Sequence, residues 1–552
     1  MKTPFSAQNR SVYVNELVTG SFDLLVIGGG ITGAGIALDA AARGLRVALV
    51  EMQDFSSGTS SRSTKLIHGG LRYLKQLEFG LVAEVGKERK IIHRLAPHLT
   101  QPEPMLLPIM KGDALGKFSA RLGMLVYEQL AGVKHSERNK NLTVMAAKLQ
   151  EPLLKKEGLK GGILFYEYRT DDARLTLEVM KQAVHHGAVA LNYLKVTGFK
   201  YDGGAISGVT ATDLAEGKEI EIAAKYIVNA SGPWVDTISG LDKQQDSKLK
   251  ITKGVHLVFD HIKVPVRQSI YFEAPDKRML FVIPRNGKTY VGTTDTFYNG
   301  DLVEPLITIE DRDYLLYCLN NYFTLTLGPS DIESGWAGLR PLINKPGKKA
   351  GEISRKDEIF ISPTGLITIA GGKLTGYRKM AERVMKLVSD NIRVREGKIL
   401  PPCTTDNIYL SGGKLNRNFE DFVKDKITEG IKLGFMHNEI IELVYRYGSD
   451  VDTIYAIFKK LDSIEIQREA GDLPKLICAQ LLYAVDYEMC CTPSDFLVRR
   501  TGWLYFNIQL VEKWHARIAD VLKTILQWEP DALEKYNNEL ESSLNRIRLL
   551  RR

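Results

Sequence analysis

The sequence is poor in cysteine, and this limits its chemistry. Five of the 552 residues are cysteines, and none has the C-x-x-C spacing of a zinc or thiol–disulfide site. We therefore predict no metal site and expect reduced, structural thiols, as is typical of a protein of the cytosol. The five residues are Cys318, Cys403, Cys478, Cys490 and Cys491.

Long apolar runs are also missing. No stretch approaches the roughly 18 apolar residues that a spanning helix needs, so any membrane contact must be peripheral. Residues 1–20 carry charges and no apolar core, so we expect no signal peptide. The net charge of +8 suits an anionic substrate or an anionic lipid surface. No motif supports nucleic-acid binding, and we predict no nucleic acid among the partners.

What the sequence does contain is a nucleotide-binding pattern over residues 23–51. An apolar strand, 24–27, leads into three glycines at G-x-G-x-x-G spacing, then a small-residue helix, 31–42, and a second strand, 45–50. The glycines permit a tight turn and close approach to a pyrophosphate, and the helix N-terminus offers free N–H groups. Glu51, after the second strand, can accept hydrogen bonds from a ribose. The glycines are Gly28, Gly30 and Gly33.

The next segment is polar and then basic. Residues 56–63 are rich in hydroxyl groups, which suits a loop that surrounds a phosphate or a ring. Residues 65–73, KLIHGGLRY, contain a double glycine that lets the backbone approach a flat group, although an ordinary glycine turn explains the same letters. From this segment we predict as cofactor-binding residues Thr59, Ser60, Ser61, Lys65, His68 and Gly70.

A second strand–glycine–helix turn lies at residues 366–379, LITIAGGKLTGYRK. Its helix N-terminus and the adjacent lysine suit the pyrimidine end of a flavin, where negative charge develops on reduction. A further strand, 225–229, also ends in a small-residue turn, the usual place for a strand to meet a cofactor. We therefore predict FAD, bound in addition by Gly232, Gly371, Gly372, Leu374 and Thr375.

The length of 552 residues exceeds what one hydrophobic core supports. The patterns predict an α/β fold with a Rossmann-like FAD-binding domain, a β-rich substrate domain and an all-helical C-terminal cap domain. Asn286-Gly287 predicts one hairpin of the β-rich part, and Pro401-Pro402 marks a linker. We predict the FAD-binding domain at 20–100, 160–250 and 355–398, the substrate domain at 101–159 and 251–354, and the helical domain at 399–552.

Nine segments carry a family resemblance. In chain order they are GGGITGAG, SSRSTKLIHGGLRYL, DDARL, NASGPWVD, KGVHLV, RMLFVIPR, VGTTDT, AGLRPL and GGKLTGYRK, all between residues 20 and 390. Together they resemble the FAD-dependent, aerobic respiratory glycerol-3-phosphate dehydrogenases, which belong to the wider glycine-oxidase-like flavoproteins. The helical C-terminal part is similar to the cap of that family. One departure is Gly376, where many members carry a threonine.

The resemblance implies an enzyme that oxidises sn-glycerol 3-phosphate to dihydroxyacetone phosphate, with hydride transfer to FAD and electrons passed to membrane quinone. A phosphomonoester dianion favours bidentate guanidinium contacts, and three arginines qualify. By similarity, Tyr73 lines the pocket and Lys373 lies by the flavin and the substrate. The arginines are Arg72, Arg340 and Arg355, of which Arg340 is also expected beside the flavin.

The reaction also needs a base for the C2 hydroxyl proton. His256 and His68 are the two imidazoles that the resemblance offers, because imidazole accepts a proton near neutral pH. We favour His256, although a lone histidine in a strand is as often a core residue. We count His256, Arg340, Lys373 and His68 as the catalytic set and His256 among the substrate contacts.

Residues 110–130 predict a basic amphipathic helix, with Lys111, Lys117 and Arg121 among its apolar residues. Such a helix lies in a membrane interface or packs on its own domain, and the sequence favours neither. With the net charge, it leads us to expect a cytoplasmic protein that is peripheral on the inner face of the cell membrane. A homodimer is compatible with the sequence.

Four alternatives remain at this point. A glycerol-3-phosphate oxidase has the same fold and substrate but uses oxygen, and an amino-acid oxidase of the glycine-oxidase type would use Arg340 to hold a carboxylate. A non-catalytic flavoprotein would not need His256, Arg340 and Lys373. An NAD-dependent dehydrogenase would leave the second glycine turn, at 371, without a purpose.

Overall fold

The structure is a computed structural model. It describes residues 5–68, 78–113, 124, 126, 128, 135–242, 247–344, 357–461 and 471–552. The predicted residues Gly70, Arg72, Tyr73 and Arg355 lie outside these ranges, as do Lys117 and Arg121.

The described strands, in chain order, are β1 Ser21–Ile27, β2 Val47–Val50, β3 Leu66–Ile67, β4 Thr100–Met110, β5 Lys140–Leu142, β6 Leu159–Thr170, β7 Val189–Leu191, β8 Leu194–Asp202, β9 Ala205–Asp213, β10 Lys218–Asn229, β11 Leu249–Asp260, β12 Ser269–Glu273, β13 Met279–Arg285, β14 Lys288–Gly292, β15 Thr296–Phe297, β16 Ile332–Ile343, β17 Glu358–Ile361 and β18 Ile367–Ala370.

The described α-helices are α1 Arg10–Thr19, α2 Ile31–Ala42, α3 Phe79–Leu95, α4 Val144–Gln150, α5 Asp172–His185, α6 Val235–Leu241, α7 Ile309–Tyr322, α8 Tyr377–Glu396, α9 Phe419–Lys432, α10 His437–Tyr447, α11 Val451–Lys460, α12 Lys475–Tyr487, α13 Trp503–Phe506, α14 Ile508–Leu526 and α15 Pro530–Leu550.

The first sheet has the order β17-β18-β10-β1-β2-β7, with the β8–β9 hairpin attached to β10. The central pairs β18–β10, β10–β1, β1–β2 and β2–β7 are parallel. Because parallel strands run the same way, their carboxyl ends lie along one edge of the sheet. The strands that precede the two predicted glycine turns, β1 and β18, therefore end on the same edge.

The β1–α2–β2 unit forms for reasons that are local in sequence. Leu24, Leu25 and Val26 have no exposed surface, and burying each such side chain stabilises the fold by about 1.5–3 kcal/mol. The helix α2 is almost entirely buried because its side chains are small, so it packs close to neighbouring helices. A Cβ added at Gly35 would lie 2.8 Å from the Tyr377 ring of α8, so the glycine sets how closely α2 and α8 approach.

The second sheet has the order β15-β11-β14-β13-β12-β4-β6-β3, with β16 paired to β11 and β5 paired to β6. Its pairs are antiparallel except for β12–β4. The hairpin at Asn286-Gly287 joins β13 to β14 and confirms that prediction; Asn286 and Gly287 have φ of 51° and 76°. Helix α7 covers one face of this sheet and completes an apolar core with it.

The C-terminal part is helical, as predicted, over the residues that the structure describes. Its buried residues share one continuous hydrophobic core with the first sheet. The helix predicted over 110–130 needs one correction at its start. Met110 is the last residue of β4, because it pairs with Leu159 of β6, and Lys111 and Gly112 form a turn.

Candidate active site

The first glycine turn joins β1 to α2. The N–H of Gly28 donates to the Val50 carbonyl at 2.8 Å, and Gly28 has a φ of 114°, which favours glycine. A Cβ at Gly33 would lie 1.9 Å from the Gly28 carbonyl oxygen, so no larger residue fits there. Gly30 precedes the first residue of α2, and the N–H of Ile31 donates to Ser60 Oγ at 3.0 Å.

The Glu51 carboxylate holds this turn in place through backbone hydrogen bonds. Its Oε2 accepts the Gly29 N–H at 2.6 Å and its Oε1 accepts the Gln53 N–H at 2.8 Å. Burial raises the pKa of the Glu51 carboxyl above its usual range, and the two backbone N–H groups oppose that rise. Each carboxylate oxygen retains a second lone pair, so the predicted contact with a ribose stays compatible with these bonds.

The loop from Thr59 to Lys65 connects the two sheets. Thr59 Oγ1 donates to the Leu339 carbonyl of β16 at 2.7 Å. Lys65 Nζ donates to the Ser61 carbonyl at 2.9 Å and forms a buried ion pair with Asp172, with Nζ–Oδ1 at 2.5 Å. The Lys65 N–H donates to Ser63 Oγ at 3.0 Å, and its carbonyl accepts the Thr170 N–H at 2.9 Å. Both the side chain and the backbone of Lys65 therefore hold this loop in place.

The second glycine turn lies on the same sheet edge as the first. Ile27 of β1 is in register with Asn229 of β10, and Asn229 with Thr368 of β18. Adjacent strands lie about 4.8 Å apart, so the ends of β1 and β18 are separated by roughly 10 Å. Gly371 and Gly372, with φ of 79° and 92°, follow β18 directly. A single elongated cofactor can reach both turns.

Four residues complete this edge. Gly232, with φ of 58°, follows β10 between the other two turns. Leu374 and Thr375 form a short 3-10 turn before α8, and Thr375 is buried. Lys373 precedes that turn and is partly exposed.

His256 lies in β11, opposite Trp336 of β16 in the strand register. The two rings are stacked, with centroids 4.7 Å apart and planes 12° apart. His256 Nε2 lies 3.0 Å from Thr64 Oγ1, and its Nδ1 has no hydrogen-bond partner among the described residues. Burial, then Arg340 and Lys65, hold the pKa of His256 well below its usual range, so the imidazole is neutral at physiological pH.

Arg340 is held in one orientation beside His256. It lies in β16 opposite Thr252, and its side chain is 19% exposed. Nη1 donates to the Thr294 carbonyl and to Asp295 Oδ1, both at 3.2 Å, and Nη2 donates to Thr293 Oγ1 at 3.0 Å. The guanidinium is therefore preorganised, with part of its surface open to a ligand.

His68, the second predicted base, stands next to the same sheet. Its ring lies edge-on to Phe281, with centroids 6.0 Å apart. Phe281 of β13 is in register with Gly292 of β14, and Gly292 with His256 of β11. One strand, β14, therefore separates His256 from the residue that His68 contacts. The sequence reasoning missed Thr64, Trp336 and Thr293 as neighbours of the predicted site. The polar residues 293–295 after β14 could have indicated Thr293. Nothing in the residue spacing indicated Thr64 or Trp336.

The geometry at the sheet edge fits FAD. The Gly28–Gly33 turn leaves no room for a side chain, and the helix it opens presents backbone N–H groups and a positive dipole end to a pyrophosphate. A second glycine turn with an adjacent lysine lies within reach on the same edge. A Rossmann-like sheet with these two turns defines an FAD-dependent oxidoreductase.

Comparison with known proteins agrees. A family model described as FAD dependent oxidoreductase matches residues 23–378, and one described as C-terminal domain of alpha-glycerophosphate oxidase matches residues 403–533. Aerobic glycerol-3-phosphate dehydrogenase of Bacillus subtilis is 50% identical over 549 residues, 99% of this chain and 98% of that protein. The Staphylococcus aureus (strain MRSA252) protein of the same name is 50% identical over 95% of this chain and 94% of its own length.

Solved structures extend the comparison. The glycerol-3-phosphate dehydrogenase from Bacillus halodurans, complexed with FAD, superposes with a TM-score of 0.84, 46% identity and 98% coverage of both chains. L-alpha-glycerophosphate oxidase from Mycoplasma pneumoniae, with FAD bound, has a TM-score of 0.56 at 16% identity over 72% of this chain and 99% of its own, which shows a shared fold only. The chain belongs to the family of aerobic, FAD-dependent glycerol-3-phosphate dehydrogenases.

The structure also bears on membrane contact. Among the described residues, none of the helices combines the length and the apolar character that crossing a bilayer requires.

Proposed function

We propose that this protein oxidises sn-glycerol 3-phosphate to dihydroxyacetone phosphate and passes the electrons to a membrane quinone. The observation that carries the proposal is the pairing of a fixed guanidinium, Arg340, with a buried neutral imidazole, His256, on neighbouring strands. A phosphorylated secondary alcohol needs these two groups, a cation for its phosphate and a base for its hydroxyl.

Arg340 binds the phosphate. Thr293 and Asp295 already fix its orientation, so little conformational entropy is lost when the substrate arrives. A charge-assisted bond from a guanidinium to a phosphate is about twice as strong as a neutral one. Arg72 and Arg355 are proposed as further phosphate ligands, and Tyr73 as a pocket residue.

His256 accepts the C2 hydroxyl proton. Its neutral state leaves one ring nitrogen with a lone pair, and Thr64 fixes the ring through Nε2. FAD, when bound, supplies the hydride acceptor for the C2 hydrogen. His68 is the second proposed base. Lys373 provides positive charge beside the second glycine turn, where it stabilises negative charge that develops during the reaction.

We propose that FAD is held by residues of the sheet edge and of the loop after β2, together with Gly70, which lies outside the described residues. They are Gly28, Gly30, Gly33, Glu51, Thr59, Ser60, Ser61, Lys65, His68, Gly70, Gly232, Gly371, Gly372, Leu374 and Thr375.

Delivery of electrons to a quinone requires a bilayer nearby. We propose that the protein is cytoplasmic and lies peripherally on the inner face of the cell membrane, in contact with anionic lipid. The net charge of +8 and the basic residues Lys111, Lys117 and Arg121 support this. If changing these three residues to glutamate left binding to anionic liposomes unchanged, the membrane proposal would be wrong. A homodimer is a further proposal, tested by light scattering.

An oxidase is the second candidate. The match of residues 403–533 to the C-terminal domain of alpha-glycerophosphate oxidase favours it. The two functions differ in acceptor only, so hydrogen peroxide formed in air by the purified holoenzyme would favour the oxidase, and quinone reduction without peroxide would favour the dehydrogenase.

The substrate assignment is tested with Arg340→Ala and a matched control, Arg278→Ala. Arg278 lies just before β13 and pairs with Asp276, and the two side chains are 37% and 35% exposed. We expect Arg340→Ala to retain FAD and to lower kcat/KM for sn-glycerol 3-phosphate by at least about 100-fold, the usual cost of losing a charge-stabilising donor. Arg278→Ala should match the unmodified enzyme. Normal turnover by Arg340→Ala, or faster turnover of glycine than of glycerol 3-phosphate, would refute the assignment.

A further inference from the structure

The C-terminal helical domain reaches the candidate active site through its short helix α13. Two arginines that precede this helix, Arg499 and Arg500, pair with Asp54 of the loop after β2. The helix itself is bonded to the second sheet, because Ser334 Oγ of β16 donates to the Tyr505 carbonyl. The helix is therefore fixed beside the strand that carries Arg340, although the proposed chemistry gives its domain no role.

Phe506, the last residue of α13, packs against two aromatic residues of the second sheet. Its ring lies edge-on to Trp336 of β16 and to Tyr290 of β14, with centroids 5.8 Å apart in both pairs. Edge-on contact is a favoured arrangement of two aromatic rings. The centroids of Trp336 and Tyr290 are 5.6 Å apart, so the three rings form one cluster. The Arg285 guanidinium lies over the Phe506 ring, 4.4 Å from its centroid.

The same two rings hold His256. Trp336 stacks on the imidazole, and its Nε1 donates to the Ser63 carbonyl at 3.2 Å. The Tyr290 hydroxyl donates to the Thr64 carbonyl at 3.1 Å, and Thr64 Oγ1 lies 3.0 Å from His256 Nε2. The stacking contact and the hydrogen bond of His256 therefore both depend on the two rings that Phe506 contacts.

The remaining surroundings of His256 give its ring little support. A Cβ at Gly292 would lie 2.2 Å from His256 Cδ2, so the ring rests on the backbone of β14, where no side chain holds it. Its Nδ1 has no hydrogen-bond partner within the described part of the chain. Arg340, in contrast, is held by its own hydrogen bonds to residues 293–295. Loss of the aromatic cluster should therefore affect the base and leave the guanidinium in place.

We propose that Phe506 is a positioning residue for His256, through which the C-terminal domain supports proton transfer at the active site. The inference rests on the proposed function, in which His256 accepts the C2 hydroxyl proton. Phe506 acts through Trp336 and Tyr290, which hold the imidazole and the Thr64 backbone. Such support matters for the rate, because a displacement of about 1 Å can slow a reaction about 100-fold.

The test measures flavin reduction by sn-glycerol 3-phosphate in the FAD-loaded enzyme, without air and without an added acceptor. Phe506→Leu and Phe506→Met remove the ring, and Phe506→Tyr keeps it. Phe458→Leu is the matched control, because Phe458 lies in α11 of the same domain and packs edge-on against Phe435, with centroids 4.6 Å apart. Flavin content and the urea midpoint are measured for every variant.

We expect the rate constant at saturating substrate to fall at least about tenfold in Phe506→Leu and Phe506→Met, with the Kd for the substrate within about twofold. Phe506→Tyr and the control should keep both values. If Phe506→Leu loses its flavin, Phe506→Met decides, because methionine fills irregular gaps in a core. Unchanged rate constants in both ring-free variants would overturn the inference, as would an equal loss in Phe458→Leu or a change in Kd alone.

A double variant tests whether Phe506 acts through His256. In a His256→Ala background, Phe506→Leu should change the rate constant by less than about twofold, because there is no imidazole left to position. A further loss of about tenfold in that background would overturn the inference, since Phe506 would then act by another route. Failure of sn-glycerol 3-phosphate to reduce the flavin of the unmodified enzyme would instead refute the proposed function, and the inference with it.

Discussion

Asp54 joins the loop after Glu51 to the C-terminal helical domain. Arg500 Nη2 donates to its Oδ1 at 2.9 Å, Asn192 Nδ2 donates to the same oxygen at 3.0 Å, and both Arg499 and Arg500 donate to Oδ2. The side chains of Asp54 and Arg500 have no exposed surface. The loop after Glu51 is thus held in place by residues about 445 positions away in the chain.

We predict that Asp54→Asn weakens both the fold and the retention of FAD. Loss of one partner of a buried ion pair costs about 3–5 kcal/mol, because the remaining charge is left uncompensated. Arg499 keeps its pair with Asp495 at 2.6 Å and Arg500 keeps the Glu488 carbonyl at 2.8 Å, so the lower end, about 3 kcal/mol, is expected.

Asp54→Asn should also weaken FAD binding, because the loop after Glu51 is bonded to the first glycine turn. Ser56 N–H donates to the Gly29 carbonyl and Glu51 accepts the Gly29 N–H, so disorder in this loop reaches the first glycine turn. If half of about 3 kcal/mol falls on the loop, the apparent Kd for FAD rises about tenfold, since 1.4 kcal/mol is a factor of ten. The full amount would give roughly 150-fold.

The assay is FAD titration of the apoenzyme by flavin fluorescence, with urea unfolding in parallel. The matched control is Glu221→Gln, which breaks the exposed Lys200–Glu221 pair in the β8–β9–β10 part of the same sheet. Exposed pairs contribute about 0–1 kcal/mol, so the control should keep its Kd and its urea midpoint. An Asp54→Asn protein with an FAD Kd within twofold of the unmodified value would refute this reasoning.

Three further results are expected. Gly33→Ala should abolish FAD binding, measured as flavin absorbance per protein, because the added Cβ would lie 1.9 Å from the Gly28 carbonyl oxygen. The control Gly80→Ala, with open space around it, should keep the flavin. Equal flavin content in the two variants would contradict a role of the first glycine turn in FAD binding. Arg340→Lys should recover only part of the activity that Arg340→Ala loses, seen mainly as a higher KM, because lysine cannot make the two-point contact; full recovery would count against a bidentate contact. The pKa of His256 is lowered, so its neutral form persists below pH 6.5 and is lost only as the pH falls further. At saturating substrate, where ionisation of the free phosphate does not enter, kcat should therefore hold below pH 6.5, and an acid limb of kcat at the ordinary histidine pKa would show that His256 is not the base.

Much of the cofactor half could be predicted because its signals are local. The glycine spacing, the small-residue helix and Glu51 lie within 29 residues, and the turn residues impose the same backbone in any context. The Asn286-Gly287 hairpin and the Asp171 cap of α5, whose Oδ1 accepts the Arg174 N–H at 3.1 Å, were predictable for the same reason.

The environment of His256 could not be read from the sequence. It depends on the pairing of β11 with β16, which places Trp336 opposite His256 although 80 residues separate them in the chain. Periodicity tells that a residue lies in a strand but not which strand lies beside it. For the same reason, the sequence could not predict the Asp54 ion pairs or the packing of Phe506 against Trp336, because each is formed by residues that are far apart in the chain.

The central claim is that one FAD lies across both glycine turns and takes a hydride from a phosphorylated alcohol held by Arg340. The most direct measurement is anaerobic mixing of the holoenzyme with sn-glycerol 3-phosphate in a stopped-flow spectrophotometer. The account predicts that the flavin absorbance bleaches, with dihydroxyacetone phosphate formed in a one-to-one ratio to the flavin reduced. A flavin that stays oxidised at saturating sn-glycerol 3-phosphate would contradict it.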